Sequence, residues 1–459
     1  DIFQTLELPN GKILFAGQNV FFRLDENYDL DTTFNVGPGI GYNNQIRALI
    51  YDSDNKVIAG GEFTQFSGQS YNRIVRLNND GSADPTFNVG TGFDNRVRVI
   101  RKLSSGKFLV GGDFDTYDGE NYSSLIKLNS DGSVDNTFVI GSGFTKPNTS
   151  GVYEIVEQPD GKLLIGGWFT EYSGVSANRI IRLNSDGTID NTFNYGTGFN
   201  ERVNRIGLQH DGKMIVIGGN YNNGGFTEYN GTPANSIIRL NSDGTVDPTF
   251  NYGTGFNGYT VSLILQSDGK VIITGYFDDY NGNPYNSLIR LNSDGTVDES
   301  FYVGSGLYNL YNSYYNQGNY LYQYSNGQIF VFNWGEDYNG ARLGQHFLIE
   351  GDPITPTPTP TPTPSPTGSI VTTPTPTPTK TSSPTPSVTP TNTPSPTFIP
   401  LSGIGVNIQY EYTLEMLGSF AGTQITGLTV PHPVFTDANG VPYAQLDAVT
   451  IGGFNGLNN

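Results

Sequence analysis

The stretch RLNSDGTIDNTF, from Arg182 to Phe193, is written several times along the chain. It returns as RLNSDGTVDPTF from Arg239 and as RLNSDGTVDESF from Arg290, and looser copies begin at Arg23, Arg76 and Lys127. Asn184-Ser185-Asp186-Gly187 has the chemistry of a type I turn, with Gly187 in the left-handed conformation of a G1 bulge. A hairpin loop of that kind sets Leu183 opposite Ile189 and Arg182 opposite Asp190. Apolar then faces apolar, and a cation faces a carboxylate. The same opposition is expected for Arg23/Asp31, Arg76/Asp84, Lys127/Asp135, Arg239/Asp247 and Arg290/Asp298. A cross-strand pair of this type contributes about 0.2–1 kcal/mol. The first copy departs, with Tyr28 where Gly187 stands, so that turn must differ or be strained.

A second phrase precedes each copy. It ends at Lys12 (PNGK), Lys56 (SDNK), Lys107 (SSGK), Lys162 (PDGK), Lys213 (HDGK) and Lys270 (SDGK), and in altered form at Gln328 (SNGQ). Successive spacings run from 44 to 58 residues, in the range of propellers and solenoids. The fourth unit holds four strand-like runs: GVYEIVEQ, KLLIGGWF, RIIRLN and TIDNTFNYG. Each is rich in Val, Ile, Leu, Phe or Tyr and bounded by turn formers. No helical period is evident before residue 350. Four strands in each of seven units predict an all-β chain folded as a seven-bladed β-propeller over residues 1–351. The seventh unit lacks the DxTF run. Its edge, near Gln328 to Ile349, is therefore expected to be completed by residues from outside the regular repeat.

On these phrases the segment resembles the delta-60 repeat family of β-propellers, whose hallmark is similar to LNSDGTxDxTF followed by GTGF. The resemblance implies a propeller and no defined activity. A looser likeness, to the Asp-box turns of sialidase propellers, fails on spacing.

Composition narrows the function classes. The 459 residues carry a formal net charge of -19, and only 15% are charged. That balance argues against nucleic acid, which needs Lys and Arg to displace counterions. With no cysteine, disulfides and thiolate metal sites are excluded. No apolar run has the length of a membrane span. The chain opens at Asp1 rather than Met, which implies a processed protein or part of a longer one.

Residues 352–400 are a Pro/Thr tract holding 16 of the 27 prolines. It favours polyproline II and cannot build a core. At about 3.1 Å per residue it spans on the order of 140 Å, and its hydroxyls are candidate O-glycan acceptors. Residues 401–459 return to patterned sequence. GVNIQYEYTLEML alternates strictly, TQITGLTV and YAQLDAVTI look like further strands, and Asn439-Gly440 is a turn candidate. This segment is expected to be a small β-rich anchor or assembly module, contacting other chains through itself and the last blade edge.

Chemistry-bearing motifs are sparse. GTGFNG (Gly253–Gly258) fits the G-x-G-x-x-G pattern, but it precedes a strand-like run where a dinucleotide site needs a helix. NSDGTVD offers Asn241, Asp243 and Asp247 as a weak calcium alternative, against a plain hairpin. No H-E-x-x-H, nucleophile elbow or Walker loop occurs, and no cofactor is expected. The repeated F-x-x-Y loops place Phe114/Tyr117, Phe169/Tyr172, Phe226/Tyr229 and Phe277/Tyr280 at equivalent positions. These are either packing between blades or an aromatic face for stacking sugars. Length variation falls on one set of connections, after Phe144 and from Asn220, so that face is the expected place for a ligand. Gly, Asn, Thr and Tyr richness resembles phage structural proteins. The expectation is a non-catalytic display or binding protein of a virion or cell surface, with a glycan as candidate ligand. A carbohydrate-active enzyme and an extracellular filament subunit are the alternatives.

Overall fold

The computed structural model describes residues 2–18, 20–37, 42–53, 55–301, 307–308, 320–332, 337–338, 341–342, 346–349 and 399–400, with 423–425, 435–436, 442–444 and 449–451 in the tail. It divides into two compact units, Asp1–Pro400 and Leu401–Asn459. The linker reading of 352–398, the strand GVNIQYEYTLEML and the Asn439-Gly440 turn lie outside the described residues.

The first unit is an all-β propeller. Its sheets repeat one plan, an antiparallel meander of inner, middle and outer strand. The inner strands are Ile2–Glu7, Ile46–Tyr51, Val97–Lys102, Val152–Glu157, Val203–Leu208, Tyr259–Leu265 and Tyr320–Gln323. The matching middle strands are Ile13–Gly17, Val57–Gly61, Phe108–Gly112, Leu163–Gly167, Met214–Gly218, Val271–Tyr276 and Ile329–Phe332. The outer strands are Phe21–Leu24, Ile74–Leu77, Leu125–Leu128, Ile180–Leu183, Ile237–Leu240, Leu288–Leu291 and His346–Ile349. Middle strands such as Leu163–Gly167 are buried along their whole length, because a neighbouring sheet covers each face. Their sequences are therefore continuous apolar runs and do not alternate. The core lies between sheets: Val99 and Leu109 of the third pack with Ile155, Leu163 and Ile181 of the fourth. The last inner strand meets the first, where the Glu7 amide donates to the Tyr322 hydroxyl (2.8 Å) and Ser325 donates to the Glu7 carboxylate.

The opening phrase folds as its turn chemistry requires. The Asn184 amide donates to the Thr188 carbonyl (2.8 Å), that of Gly187 to the Asn184 carbonyl (3.0 Å), and Leu183 bridges Ile189. Gly187 has φ 91°. Tyr28 makes the same turn at φ 66°, so the first copy keeps the left-handed geometry despite its side chain.

The expected fourth strand, however, does not form. Past the Leu183–Ile189 bridge the chain turns at Asp190, and TIDNTFNYG carries no ladder. The reason is local: Asp190 Oδ1 accepts from both the amide (3.0 Å) and the hydroxyl (2.7 Å) of Thr192, which curls the backbone out of the extended form. DxTF is a turn in every described repeat, so its absence from the last unit removes no strand. In that unit His346–Ile349 instead pairs with Ile399–Pro400 of the same chain. A further element escaped the sequence reading. Two-residue ribbons such as Glu171–Tyr172 with Val175–Ser176 link middle to outer strands.

In the tail unit Thr423–Ile425 pairs with Val449–Ile451, and Phe435–Thr436 with Pro442–Ala444. Thr423–Ile425 and Val449–Ile451 fall within the runs TQITGLTV and YAQLDAVTI read as strands, and Pro442–Ala444 overlaps the start of the second.

Candidate binding site at the channel mouth

The repeated phrases converge in space, which explains why they travel together. Asp190 accepts from Arg182 Nε (2.6 Å) and is paired with Lys162 Nζ (3.0 Å). The lysine comes from the PDGK turn, the arginine from RLN and the carboxylate from DNTF. Arg182 Nη1 also donates to the Ser242 carbonyl in the next repeat, and its guanidinium lies 4.8 Å from the Phe193 ring centroid. Equivalent clusters form at Asp31, Asp84, Asp135, Asp247 and Asp298. Burial alone would raise these carboxyls, but the lysine, threonine or serine, and arginine partners outweigh it; Asp135 and Asp298 are held at about 2. The motif is thus a staple within and between sheets.

The calcium alternative loses its ligands to the same arrangement. Asn241 donates its amide to Thr245 and Val246, Asp243 Oδ1 accepts from Thr245, and Asp247 is held by Lys213 and Arg239. Two protein cations already neutralise the Asp247 carboxylate. Among the described residues no group of three acidic or histidine side chains is disposed to hold a metal.

The F-x-x-Y aromatics also turn inward. Phe114, Tyr117, Phe169, Tyr172, Phe226, Tyr229, Phe277 and Tyr280 are all buried. Each pair closes on the phenylalanine of the preceding GTGF or GSGF phrase, with Phe144 4.4 Å from Phe169 and 4.7 Å from Tyr172 between centroids. The tyrosine hydroxyls donate to the carbonyls of Gly132, Gly187, Gly244 and Gly295, each at 2.7 Å. They are therefore inter-blade packing, and none of these rings offers a face to a sugar. Likewise Gly253–Gly258 leads into the strand Tyr259–Leu265, not a helix.

The repeats differ from one another around the central channel. Each described inner strand from the first to the sixth carries a one-residue irregularity near its start: Phe3, Arg47, Arg98, Tyr153, Asn204 and Val261 are skipped in the pairing with the middle strand. A bulge re-aims its side chain out of the ladder. Arg47, Arg98, Tyr153, Asn204 and Val261 all line one cavity of about 430 Å³ at the channel mouth. A deeper cavity of about 350 Å³ shares Arg98, Tyr153 and Arg205 with it. Both length-variable connections reach the mouth, through Asn148 and Ser150 and through Asn220–Asn223. The second is a small hairpin, Asn220 bridging Gly224, latched by the Asn220 and Asn223 amides on the buried Glu201 carboxylate.

The mouth is cationic and aromatic within an acidic chain. Arg47, Arg96, Arg98, Arg202 and Arg205 line it, beside Tyr153, Trp168, Tyr221, Tyr259 and Tyr320. Arg47 and Arg96 share Glu62 (2.6 and 2.7 Å), and Arg98 pairs with Asp113 (2.6 Å). Arg202 instead donates to neutral acceptors: Asn204 Oδ1 (2.7 Å), the Tyr153 hydroxyl (3.2 Å) and the Gly219 carbonyl (2.9 Å). Tyr153 lies between two guanidiniums, 4.1 Å from Arg98 and 4.6 Å from Arg202. Burial pushes its phenol up, yet the two arginines win and hold it below the usual tyrosine value. Burial and the neighbouring Arg98 and Arg47 likewise hold Arg96 low. The Trp168 indole N–H is buried without an acceptor among the described residues. None of these residues stood out as a motif. The signal was the second residue of the first five inner strands and the third of the sixth, the position where near-identical repeats disagree.

A repeated three-stranded sheet, stapled to its neighbour by a shared turn phrase, defines a repeat β-propeller. Residues 53–87, 103–138, 158–193, 209–250 and 266–301 match the domain of unknown function (DUF5122) beta-propeller, and this segment of the chain belongs to that family. No curated protein matches. Among solved structures, the extracellular domain of a putative one-component system from B. thetaiotaomicron is 16% identical with a TM-score of 0.43, over 73% of this chain and 37% of that one. The WD40 beta propeller domain of Doa1 is 14% identical with a TM-score of 0.44, over 72% of this chain and 88% of that one. A gluconolactonase from Xanthomonas campestris is 12% identical with a TM-score of 0.34, over 58% of this chain and 80% of that one.

Proposed function

We propose that this protein is a non-catalytic binding module displayed on a cell or virion surface, carrying its propeller on the Pro/Thr tract and capturing a glycan at the channel mouth. The observation that carries the reading is the clustering of the repeat's exceptions. Side chains that break an otherwise repeated plan converge on one cavity of about 430 Å³, within the roughly 300–1,000 Å³ of small-ligand pockets. Asparagine amides and a serine hydroxyl on the rim offer paired donors and acceptors, as vicinal sugar hydroxyls require, and tyrosine and tryptophan rings suit a sugar face. Of the carboxylates around the mouth, Glu62, Asp113 and Glu154 each face a guanidinium, and Glu201 is held by the Asn220 and Asn223 amides. Although burial opposes it, Arg47 and Arg96 hold Glu62 below the usual range, the reverse of a general acid. The test is a glycan array probed with the full chain, followed by incubation with any retained glycan. Retention that Tyr153→Ala abolishes, with the glycan recovered unchanged, is expected. Binding insensitive to Tyr153→Ala would move the site elsewhere, and hydrolysis of the retained glycan would make the protein an enzyme.

A further inference from the structure

Resting on the reading of the mouth as a glycan site, we infer that its ligand is an acidic sugar, with a carboxylate received by the Arg202 guanidinium at the edge of the Arg98–Tyr153–Arg202 stack. The argument begins with charge. The chain has a net charge of -19, yet five arginines converge on one cavity. A neutral ligand gives no reason to hold so many cations together in a partly dry site, where their mutual repulsion is costly. Nearby carboxylates offset only part of that charge. Arg47, Arg96 and Arg98 share Glu62 and Asp113, Arg101 and Arg205 share Glu154, and the buried Glu201 carboxylate under the Asn220–Asn223 hairpin adds a fourth negative charge. The Arg202 guanidinium donates to neutral oxygens, and its three nitrogens each donate once. Two of its five N–H groups remain for a planar, two-oxygen anion.

Geometry then orients the anion. Both guanidiniums lie against the Tyr153 ring, and Asn204 Oδ1 and the Gly219 carbonyl fix Arg202 in place. The clamp is therefore formed before any ligand arrives, which lowers the ordering cost of binding. The Trp168 indole lines the same cavity. Around this cationic centre the walls are Asn148, Ser150, Asn222 and Tyr221, a hydroxyl-matching rim and not an apolar one. Carboxylate and polyol in one small ligand is the chemistry of a uronic acid.

The experiment is calorimetry on the full chain with trigalacturonate, its methyl ester, the neutral trisaccharide of galactose, galactose 6-sulfate and inorganic phosphate. Trigalacturonate should bind, and its affinity should fall with added salt. Its methyl ester should bind roughly ten- to hundredfold more weakly, the size of one charge-assisted hydrogen bond. Arg202→Ala should lose a similar factor. Arg202→Lys, which keeps the charge and removes the planar fork, should lose less and serves if Arg202→Ala does not fold. Equal binding of ester and acid, with both lost in Tyr153→Ala, would overturn the carboxylate assignment and leave the glycan site standing. Preference for the sulfate ester would overturn it in favour of a sulfated sugar. Phosphate competing as tightly as trigalacturonate would reduce the site to a simple anion pocket. No binding of any sugar would sink the glycan reading and this inference together.

Discussion

Replacing Asp190 by alanine tests whether the repeated phrase is a staple. In the structure Asp190 and Arg182 have side chains only 5% and 7% exposed, 2.6 Å apart. Removing one partner of a buried ion pair costs about 3–5 kcal/mol, because the other charge stays buried. Arg182 keeps acceptors at the Ser242 carbonyl, Thr192 Oγ1 and Gln158 Oε1, which puts the expectation near the lower end, at about 3 kcal/mol. Lys162 adds little, being 28% exposed. The control is Asp186→Ala in the exposed turn of the same phrase, where two hydrogen bonds to Thr188 are lost; about 1 kcal/mol is expected there. Urea midpoints at constant slope give both numbers. The double variant Arg182→Met/Asp190→Ala should recover part of the loss, since neither charge is then stranded. Equal costs for Asp190→Ala and Asp186→Ala, with no recovery in the double variant, would refute the staple.

Gly187→Ala should cost more than Gly174→Ala. Both glycines have positive φ, but a Cβ at Gly187 would lie 2.6 Å from the Val139 carbonyl, while one at Gly174 meets nothing within 4 Å; the left-handed penalty alone is about 1–2 kcal/mol, and equal midpoint shifts would deny the close contact. Acid should destabilise the propeller in a defined window. Folded aspartates with depressed pKa values contribute stability that is present above their ordinary value of 3.8 and lost as pH falls through the folded values, about 2 for Asp135 and Asp298, so Tm should hold steady at mild pH and drop below pH 3.8; a flat Tm down to pH 2 would contradict the assignment. Chelator should leave Tm unchanged, because protein cations fill the position beside Asp247, and a calcium-dependent rise of several degrees would restore the metal reading of Asn241, Asp243 and Asp247.

The propeller was legible because its turns are chemically explicit. Asn184-Ser185-Asp186-Gly187 allows few backbone paths, and the Arg182–Asp190 opposition followed from the loop it forces. The fourth strand was misread for a reason equally local. TIDNTFNYG has strand composition, but Asp190 and Thr192 compete for the backbone with short side-chain hydrogen bonds, and that competition defeats an apolar pattern. The aromatic loops were legible as a repeat but not as to which way they face. A Phe or Tyr at a turn reads the same whether it packs inward or outward, and only the neighbouring GTGF phenylalanines decide it. The channel mouth was the least legible part. Arg47, Arg98, Tyr153 and Arg202 lie far apart in sequence and share no motif, and curling the sheets around a common axis is what joins them.

The repeat itself supplies the argument for where function lies. Two residues beyond the bulges of the second to sixth inner strands stand Leu49, Ile100, Ile155, Ile206 and Leu263, all aliphatic, because that position packs between sheets; the first inner strand departs with a buried Thr5. At the bulge itself the side chain leaves the ladder and escapes that requirement. It is free to be Arg, Tyr, Asn or Val without cost to the core. A fold that must keep each sheet nearly identical in order to close its ring can therefore vary chemistry most freely at its axis, on the ends of the inner strands. The length-variable connections after Phe144 and from Asn220 open on that same end. Position-specific side chains and loops of variable length thus meet at one place, and the staples on the opposite turns hold that place rigid while its residues differ.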